Sequence, residues 1–314
     1  MGGQRHRRGL RPRGGVPRNH GQGESPIRRL GSARVYPYVR LNGSITRHED
    51  ATISPMSPGF LYGDGAFETV RWVPGRGAFR LSRHAARLSR ALEFLSISPA
   101  PTSTEFADAM RETVEVNAPD GDVAVRLTVA EGETPGNPTV LVMLRDISYT
   151  REMYERGVSA TLLEGGGGPL TKHKSLNYAA HWRARRIAAI GGHAEALAYD
   201  ARGNILEGST SNLFIVSQGK AMTPPSDMPL LPGITRAAVI ELASAEGIVA
   251  EERVLSRPDL RHADEAFLTN AVAGALPLTG VDGDAIGTGG VGSVTARLAA
   301  AYRRAAADEL DTRA

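Results

Sequence analysis

The chain has 314 residues, 41% of them hydrophobic and 23% charged, which is enough for one large domain or two moderate ones around a substantial core. It contains no cysteine, which excludes disulfides, thiolate nucleophiles and cysteine-based metal sites and suits a cytoplasmic setting; no apolar run approaches the roughly 18–20 residues of a membrane-spanning helix. The formal charge of +3 is unevenly spread, because residues 1–30 carry eight arginines against the single acid Glu24, so the remainder is net acidic.

Residues 1–34 are rich in Arg, Gly and Pro and lack hydrophobic periodicity, which predicts a disordered tail. Such charge would suit a nucleic-acid or membrane-surface tether, but it does not define the acidic body, for which neither partner is expected. Order is expected from Val35. The stretch Arg34–Gly43 alternates like a strand, turns at Asn42-Gly43 and returns over Ser44–Thr46. Phe60 to Val73 reads as a glycine-broken segment running into a strand, with a turn at Pro74–Gly77 and a further strand over Ala78–Leu81. Ala85, Leu88, Leu92 and Leu95 recur at helical spacing, with Ser82 as the expected N-cap. A second helix is predicted over 103–116, followed by buried strands at Val123–Val129 and Thr139–Leu144.

A change of composition over Asp146–Arg151 divides an N-terminal unit, residues 35–149, from a C-terminal one, residues 150–314. The second unit opens with the Gly165–Gly168 loop, then Lys172–Tyr178 and a helix to about Ile190. Short strands follow at 196–200, 205–206 and 212–216, broken by Pro224-Pro225. A helix opened by Leu231–Arg236 runs to Ala245, a strand and loop occupy 264–278, and a helix over 293–307 closes the pattern. Together these predict two α/β lobes, each a sheet with packed helices.

Of the 37 basic residues only Lys172, Lys174 and Lys220 are lysines. An arginine stays protonated at neutral pH, whereas a lysine amine can be neutralised by its surroundings and then attack a carbonyl. Lys172 and Lys174 flank His173 directly before a helix. The ordered-region histidines show no ligand spacing with acids, so no metal site is expected.

Six blocks occur in order: Tyr62–Arg71 (YGDGAFETVR), His84–Leu88 (HAARL), Lys174–Tyr178 (KSLNY), Leu206–Phe214 (LEGSTSNLF), Leu231–Arg236 (LPGITR) and Ala263–Asn270 (ADEAFLTN). Their sequence and spacing resemble the fold-type IV pyridoxal-phosphate enzymes, the class IV aminotransferase family. That family includes branched-chain aminotransferases, D-amino-acid aminotransferases and aminodeoxychorismate lyases. The resemblance implies a two-domain α/β (α+β) chain of the D-amino-acid-aminotransferase-like fold, with an N-terminal α+β lobe and a C-terminal pseudo-barrel lobe. It also implies pyridoxal 5′-phosphate in the cleft between the lobes, and a homodimer.

Carried over residue by residue, the resemblance makes Lys174 the Schiff-base lysine and proton shuttle, and Glu207 the acid facing the pyridine nitrogen. Tyr178 becomes the phenol beside the ring O3′. Arg87, on one helical face with His84, becomes the arginine on the cofactor phosphate. Gly233, Ile234 and Thr235 would cradle that phosphate with backbone N–H groups and a hydroxyl. Ala271 stands where transaminases often place a threonine, which leaves Asn270 or backbone N–H groups for that contact. Tyr62, Arg71 and Arg126 are the substrate candidates, Arg126 aligning with a substrate-carboxylate arginine of branched-chain enzymes. Thr69 matches the hydroxyl position of the lyases and is the further catalytic candidate.

Transaminases and the lyase share their first steps and part only afterwards. Thr69 and the Leu268–Pro277 stretch lean toward 4-amino-4-deoxychorismate lyase, which forms p-aminobenzoate and pyruvate. The alternative is a branched-chain or related amino-acid transaminase using 2-oxoglutarate. The expected substrate is accordingly a small amino acid or an aminodeoxychorismate-type acid.

Overall fold

The computed structural model describes residues 34–311. The arginine-rich tail expected at the N-terminus lies outside them except for Arg34.

Strand β1 (Tyr38–Leu41) turns through Asn42 and Gly43, both at positive φ (49° and 88°), into β2 (Ser44–Arg47), as the Asn-Gly pair predicts. The glycine-broken segment expected from Phe60 begins within a short helix, α1 (Pro58–Tyr62). Ser57 caps its start through Phe60 N, Pro58 sits in its first turn, and Gly63 closes it in the left-handed region. The strand begins only at β3 (Gly65–Val73) and folds back as β4 (Gly77–Phe79). Helix α2 (Leu81–Phe94) starts one residue before the expected cap. Arg80, at φ 54°, occupies the N-cap position and no side chain caps that end. Helix α3 (Ser103–Asn117) carries a full capping box between Thr102 and Glu105, and β5 (Val123–Ala130) and β6 (Thr139–Asp146) follow.

The second half comprises α4 (Arg151–Arg156), β7 (Val158–Glu164), α5 (Ala179–Ile190), β8 (Glu195–Tyr199), β9 (Asn204–Gly208), β10 (Asn212–Ser217) and β11 (Lys220–Thr223). Helix α6 (Ile234–Ala245), β12 (Ala250–Glu252), β13 (Leu255–Ser256), α7 (Arg257–Arg261), β14 (Glu265–Asn270), β15 (Gly274–Val281), β16 (Asp284–Ala285), α8 (Ser293–Asp308) and β17 (Leu310–Asp311) complete it.

The first sheet is antiparallel throughout, in the order β17-β4-β3-β5-β6-β1-β2. It therefore includes residues from beyond the 35–149 unit, because Leu310–Asp311 return to pair with β4. Side chains alternate across it, so Ala66, Val70 and Trp72 of β3 pack with Leu88 and Leu92 of α2 and Phe106 of α3. Its other face, carrying Phe67, Thr69, Arg126 and Met143, is left for the site.

The second sheet runs β12-β11-β10-β14-β15-β7-β8-β9-β13, with β16 on β15. Its two edge strands, β12 and β13, are separated in the chain only by Arg253 and Val254. At about 3.3 Å per residue so short a link obliges the two edges to meet, and the sheet curls into an incomplete barrel. Helices α6 and α8 cover it over Phe214, Phe267 and Leu298, and Phe79 of the first sheet joins this core edge-on to Tyr302, 5.3 Å between ring centres. The result is an α/β molecule of two sheets with a cleft between them. No helix among the described residues is long and apolar enough to cross a membrane.

Candidate active site

A cavity of about 2330 Å³ opens between the sheets, walled by β3, β5 and β6 on one side and by α5, the β9–β10 connection, the start of α6 and the β14–β15 turn on the other. Lys174 stands where the two sides meet. Its own C=O accepts from Phe67 N (2.9 Å) and Leu176 N donates to Gly65 O (2.8 Å), so residues 174–176 lie along the start of β3. The amine sits 4.8 Å from the Phe67 ring centre and makes no hydrogen bond among the described residues. Burial, and then the nearby Arg87 charge, lowers its pKa to about 8.

Glu207 ends up in the same cavity, at the end of β9, almost wholly buried. Its Oε2 accepts from Leu231 N (3.1 Å) and Asn212 Nδ2 (3.3 Å), while Oε1 has no partner among the described residues. Burial raises its pKa to about 8, only partly offset by the Leu231 N–H and the Lys174 charge. Asn212 also donates to Leu231 O (2.9 Å), and the lack of a Cβ at Gly233 is what admits its side chain.

Arg87 is buried on α2 and forms a two-pronged pair with Glu68, Nε to Oε1 at 2.7 Å and Nη2 to Oε2 at 2.9 Å. A third bond, Nη1 to Pro232 O (3.1 Å), ties it to the turn that opens α6. That helix has Gly233 at its N-cap and no side-chain cap, so the first-turn N–H groups beside Ile234 and Thr235 keep their donors for another acceptor. The Thr235 hydroxyl is 3.5 Å from the Tyr302 hydroxyl. Thr269 Oγ1, on the cavity wall, is buried without a partner among the described residues.

Tyr178 packs edge-on to Phe67 and flat against His181, ring centres 5.5 and 4.8 Å apart. Its hydroxyl donates to Ser209 O (2.6 Å), and burial raises its pKa. Arg126 lies over the opposite side of the site, its guanidinium 3.5 Å from the Phe67 ring centre and its Nε donating to Thr128 Oγ1 (3.1 Å). It meets no carboxylate among the described residues, and burial lowers its pKa to about 10. Thr69 is its register partner on β3, half-buried in the same wall.

Three of the candidate residues stand apart from this cluster or are engaged elsewhere. Tyr62 is 73% exposed on α1 and outside the cavity wall. Arg71, at the far end of β3, is exposed, paired with Asp122 at 2.7 Å and outside the cavity wall. Asn270 is occupied in its own turn: its carbonyl accepts from Val272 N and Ala273 N, and its amide donates to Tyr149. It holds its own turn on the cavity wall.

Two supporting acids escaped sequence reasoning. Glu68, fully buried, accepts from Arg87 and lies 2.8 Å from His84 Nδ1. Burial pushes its pKa up, but the charges of Arg87 and His84 outweigh that and hold it far below the carboxylate range. Glu195, also buried, takes donors from the backbone and hydroxyl of both Ser209 and Thr210 and from the Ser211 hydroxyl, which fixes the loop that receives the Tyr178 proton. A charged residue at a core-facing strand position was the available sign for Glu68.

The model of the family described as amino-transferase class IV matches residues 65–281. The branched-chain-amino-acid aminotransferase of Escherichia coli (strain K12) is 31% identical over 284 residues, 84% of this chain and 91% of its own. A crystal structure of the Escherichia coli branched-chain enzyme superposes with a TM-score of 0.78, covering 88% and 97% of the two chains. The D-alanine aminotransferase of Bacillus licheniformis is 28% identical over 283 residues, 86% of this chain and 98% of its own. A hypothetical aminotransferase from Mycobacterium tuberculosis, solved in its pyridoxal-phosphate-bound form, also has a TM-score of 0.78, at 25% identity over 86% and 99% of the two chains. The cofactor of such enzymes is pyridoxal 5′-phosphate, and the cavity suits it: an unpaired amine, a buried carboxylate oxygen lacking a cation, and uncapped helix N–H groups beside an arginine are the complements of an aldehyde, a ring nitrogen and a phosphate. By matched family model, sequence and architecture alike, the chain belongs to the class IV aminotransferases, pyridoxal-phosphate enzymes of fold type IV.

Proposed function

We propose that the chain is an amino-acid transaminase of the branched-chain kind, passing an amino group between an amino acid and a 2-oxo acid. The lyase reading favoured by Thr69 and the Leu268–Pro277 stretch gives way to its alternative, because the named relatives described above are branched-chain and D-alanine aminotransferases. The observation that carries the reading is Arg126. It is a cation stacked on Phe67 without a carboxylate of its own, in the cavity that also holds Lys174 and Glu207, and a substrate carboxylate is the natural counter-ion.

When bound, pyridoxal phosphate supplies an electron-accepting ring that stabilises negative charge at the substrate Cα. Lys174 would hold it through its amine and then serve as base at Cα; burial and the Arg87 charge bring that amine close to neutrality at working pH. Glu207 would face the ring nitrogen with its free Oε1 and keep that nitrogen protonated. The N–H groups of Ile234 and Thr235, with Arg87 alongside, would hold the phosphate. Glu68 then acts as the counter-charge that fixes the Arg87 fork in direction. Tyr178 forms one wall, and its contact with the ring hydroxyl requires its hydrogen to swing from Ser209 O. Phe67, Leu141 and Met143 line the floor and favour an apolar substrate side chain.

Residues 35–149 and 150–314 act in this reading as two lobes on either side of the cofactor. Met56, Phe60, Leu61 and Tyr62, each 48–73% exposed, form an apolar patch that a second copy of the chain would cover, which supports a homodimer. The absence of cysteine suits a cytoplasmic enzyme. The test compares 2-oxoglutarate-dependent transamination of L-leucine, the same assay with D-alanine, and release of pyruvate and p-aminobenzoate from aminodeoxychorismate. Leucine turnover is expected. Pyruvate release without transamination would restore the lyase, and a borohydride-fixed cofactor anywhere but Lys174 would overturn the residue roles.

A further inference from the structure

Resting on the cofactor placement proposed above, we infer that Thr269 is a further phosphate-binding residue, its hydroxyl donating into the cup formed by Arg87 and the start of α6. The strand register puts it there. Thr269 of β14 lies directly opposite Asn212 of β10, and opposed residues of an antiparallel pair present their side chains on one face. Asn212 shows which face this is, because its amide donates to Leu231 O and to Glu207, beside the turn that opens α6. Phe267, two residues back along β14 and so on the same side, packs in the core under α6 and α8. Thr269 therefore stands on the side of the sheet that α6 covers, in the wall of the cavity that the uncapped first turn of α6 also lines.

The hydroxyl is a stranded donor. Thr269 is 1% exposed and its Oγ1 has no partner among the described residues. Other buried threonines differ: Thr113 and Thr223 donate to Ala109 O and Leu213 O, and Thr295, which also lacks a partner there, lies outside the cavity wall. The neighbouring donors are largely spent. Arg87 commits three N–H groups to Glu68 and Pro232 O, Ala271 has no hydroxyl, and the Asn270 amide donates to Tyr149. A dianion seated at this end brings several acceptor oxygens, and a hydrogen bond to a charged acceptor is worth more than one between neutral groups.

This assignment fixes the sign of a substitution. A buried hydroxyl without a partner costs the empty protein free energy, so valine, with the same branching and no hydroxyl, should be tolerated or preferred by the fold. The phosphate, in contrast, loses a donor. A threonine that served only to hold the strand would give the opposite pattern.

The experiment titrates the full-length, cofactor-stripped chain with pyridoxal 5′-phosphate and, separately, with pyridoxal, which lacks the phosphate, following the absorbance of the bound aldehyde. Thr269→Val is expected to bind pyridoxal phosphate about tenfold more weakly than wild type, and pyridoxal within about twofold of it. Thr269→Ser keeps the hydroxyl and should stay within about threefold of wild type for both. Cofactor-free Thr269→Val should melt at or above the wild-type temperature. An unchanged affinity of Thr269→Val for pyridoxal phosphate, an equal loss for both aldehydes, or a lower melting temperature of the empty variant overturns the assignment. Wild type keeps the two readings apart. If it binds pyridoxal as tightly as the phosphate ester, the whole phosphate cup falls, whereas a strong preference left intact in Thr269→Val sinks Thr269 alone.

Discussion

Glu207 and Lys174 depart from their ordinary ionisation in opposite senses, and the signs make a test. In the cofactor-free protein, Glu207 keeps a proton between its unfolded value near 4.5 and about 8, where the unfolded chain has lost it, so stability falls as pH rises through that window. Lys174 has lost its proton between about 8 and 10.5, where the unfolded chain keeps it, so stability rises there. Melting temperature followed from pH 5 to 10.5 should therefore dip near pH 8. Glu207→Gln should flatten the acid limb, since one amide oxygen can accept from both Asn212 and Leu231, and Lys174→Met should flatten the alkaline limb; unchanged limbs would refute the placement of these groups. Glu68 gives a second prediction. Replacing it with alanine strands a buried Arg87, at a cost of about 3–5 kcal/mol, and should appear as lost soluble expression or a strongly lowered denaturation midpoint. Lys174, Glu207, Arg87 and Thr235, all from the ordered blocks, line one cavity together with Arg126, which lies outside those blocks. Tyr62 and Arg71 lie outside the cavity wall of the single chain, because spacing along a sequence does not say which surface a residue faces. Asn270 lines the cavity while its carbonyl holds its own turn, a local competition that motif position does not reveal.

At the scale of elements, the long pieces were legible and the short ones were not. Helices α2 and α3 show apolar residues at helical spacing, and β5 and β6 read as apolar runs. The Thr102–Glu105 capping box on α3 is a local device that acts without tertiary help, so Thr102→Ala should cost about 1 kcal/mol in chemical denaturation and leave cofactor binding intact. Strands β12 and β13, three and two residues long, carry no pattern of their own; β11 and β9 impose their extended form by pairing. Helix α1 was not foreseen, because Phe60, Leu61 and Tyr62 suit strands and loops equally well. Only Ser57 before it and Gly63 after it marked a helical turn.

For the whole molecule, periodicity alone indicated two α/β lobes, and the barrel-like second sheet came from the family blocks. The reaction was the least legible feature, because lyase and transaminase share their early chemistry and differ in a few contacts around the substrate. The apolar patch on α1 belongs to this scale too. Leu61→Asp puts a charge where a second copy would dry the surface, and sedimentation should then show a monomer in place of a dimer at micromolar concentration.

The pairing of Leu310–Asp311 with β4 means that the first sheet takes one edge strand from the far end of the chain. Until those residues arrive, β4 remains a raw edge with unsatisfied backbone donors and acceptors, able to recruit a neighbouring molecule instead. Deleting the last few residues would thus leave that edge open to a stray strand, a route to self-association that a truncated protein would show and the intact one would not.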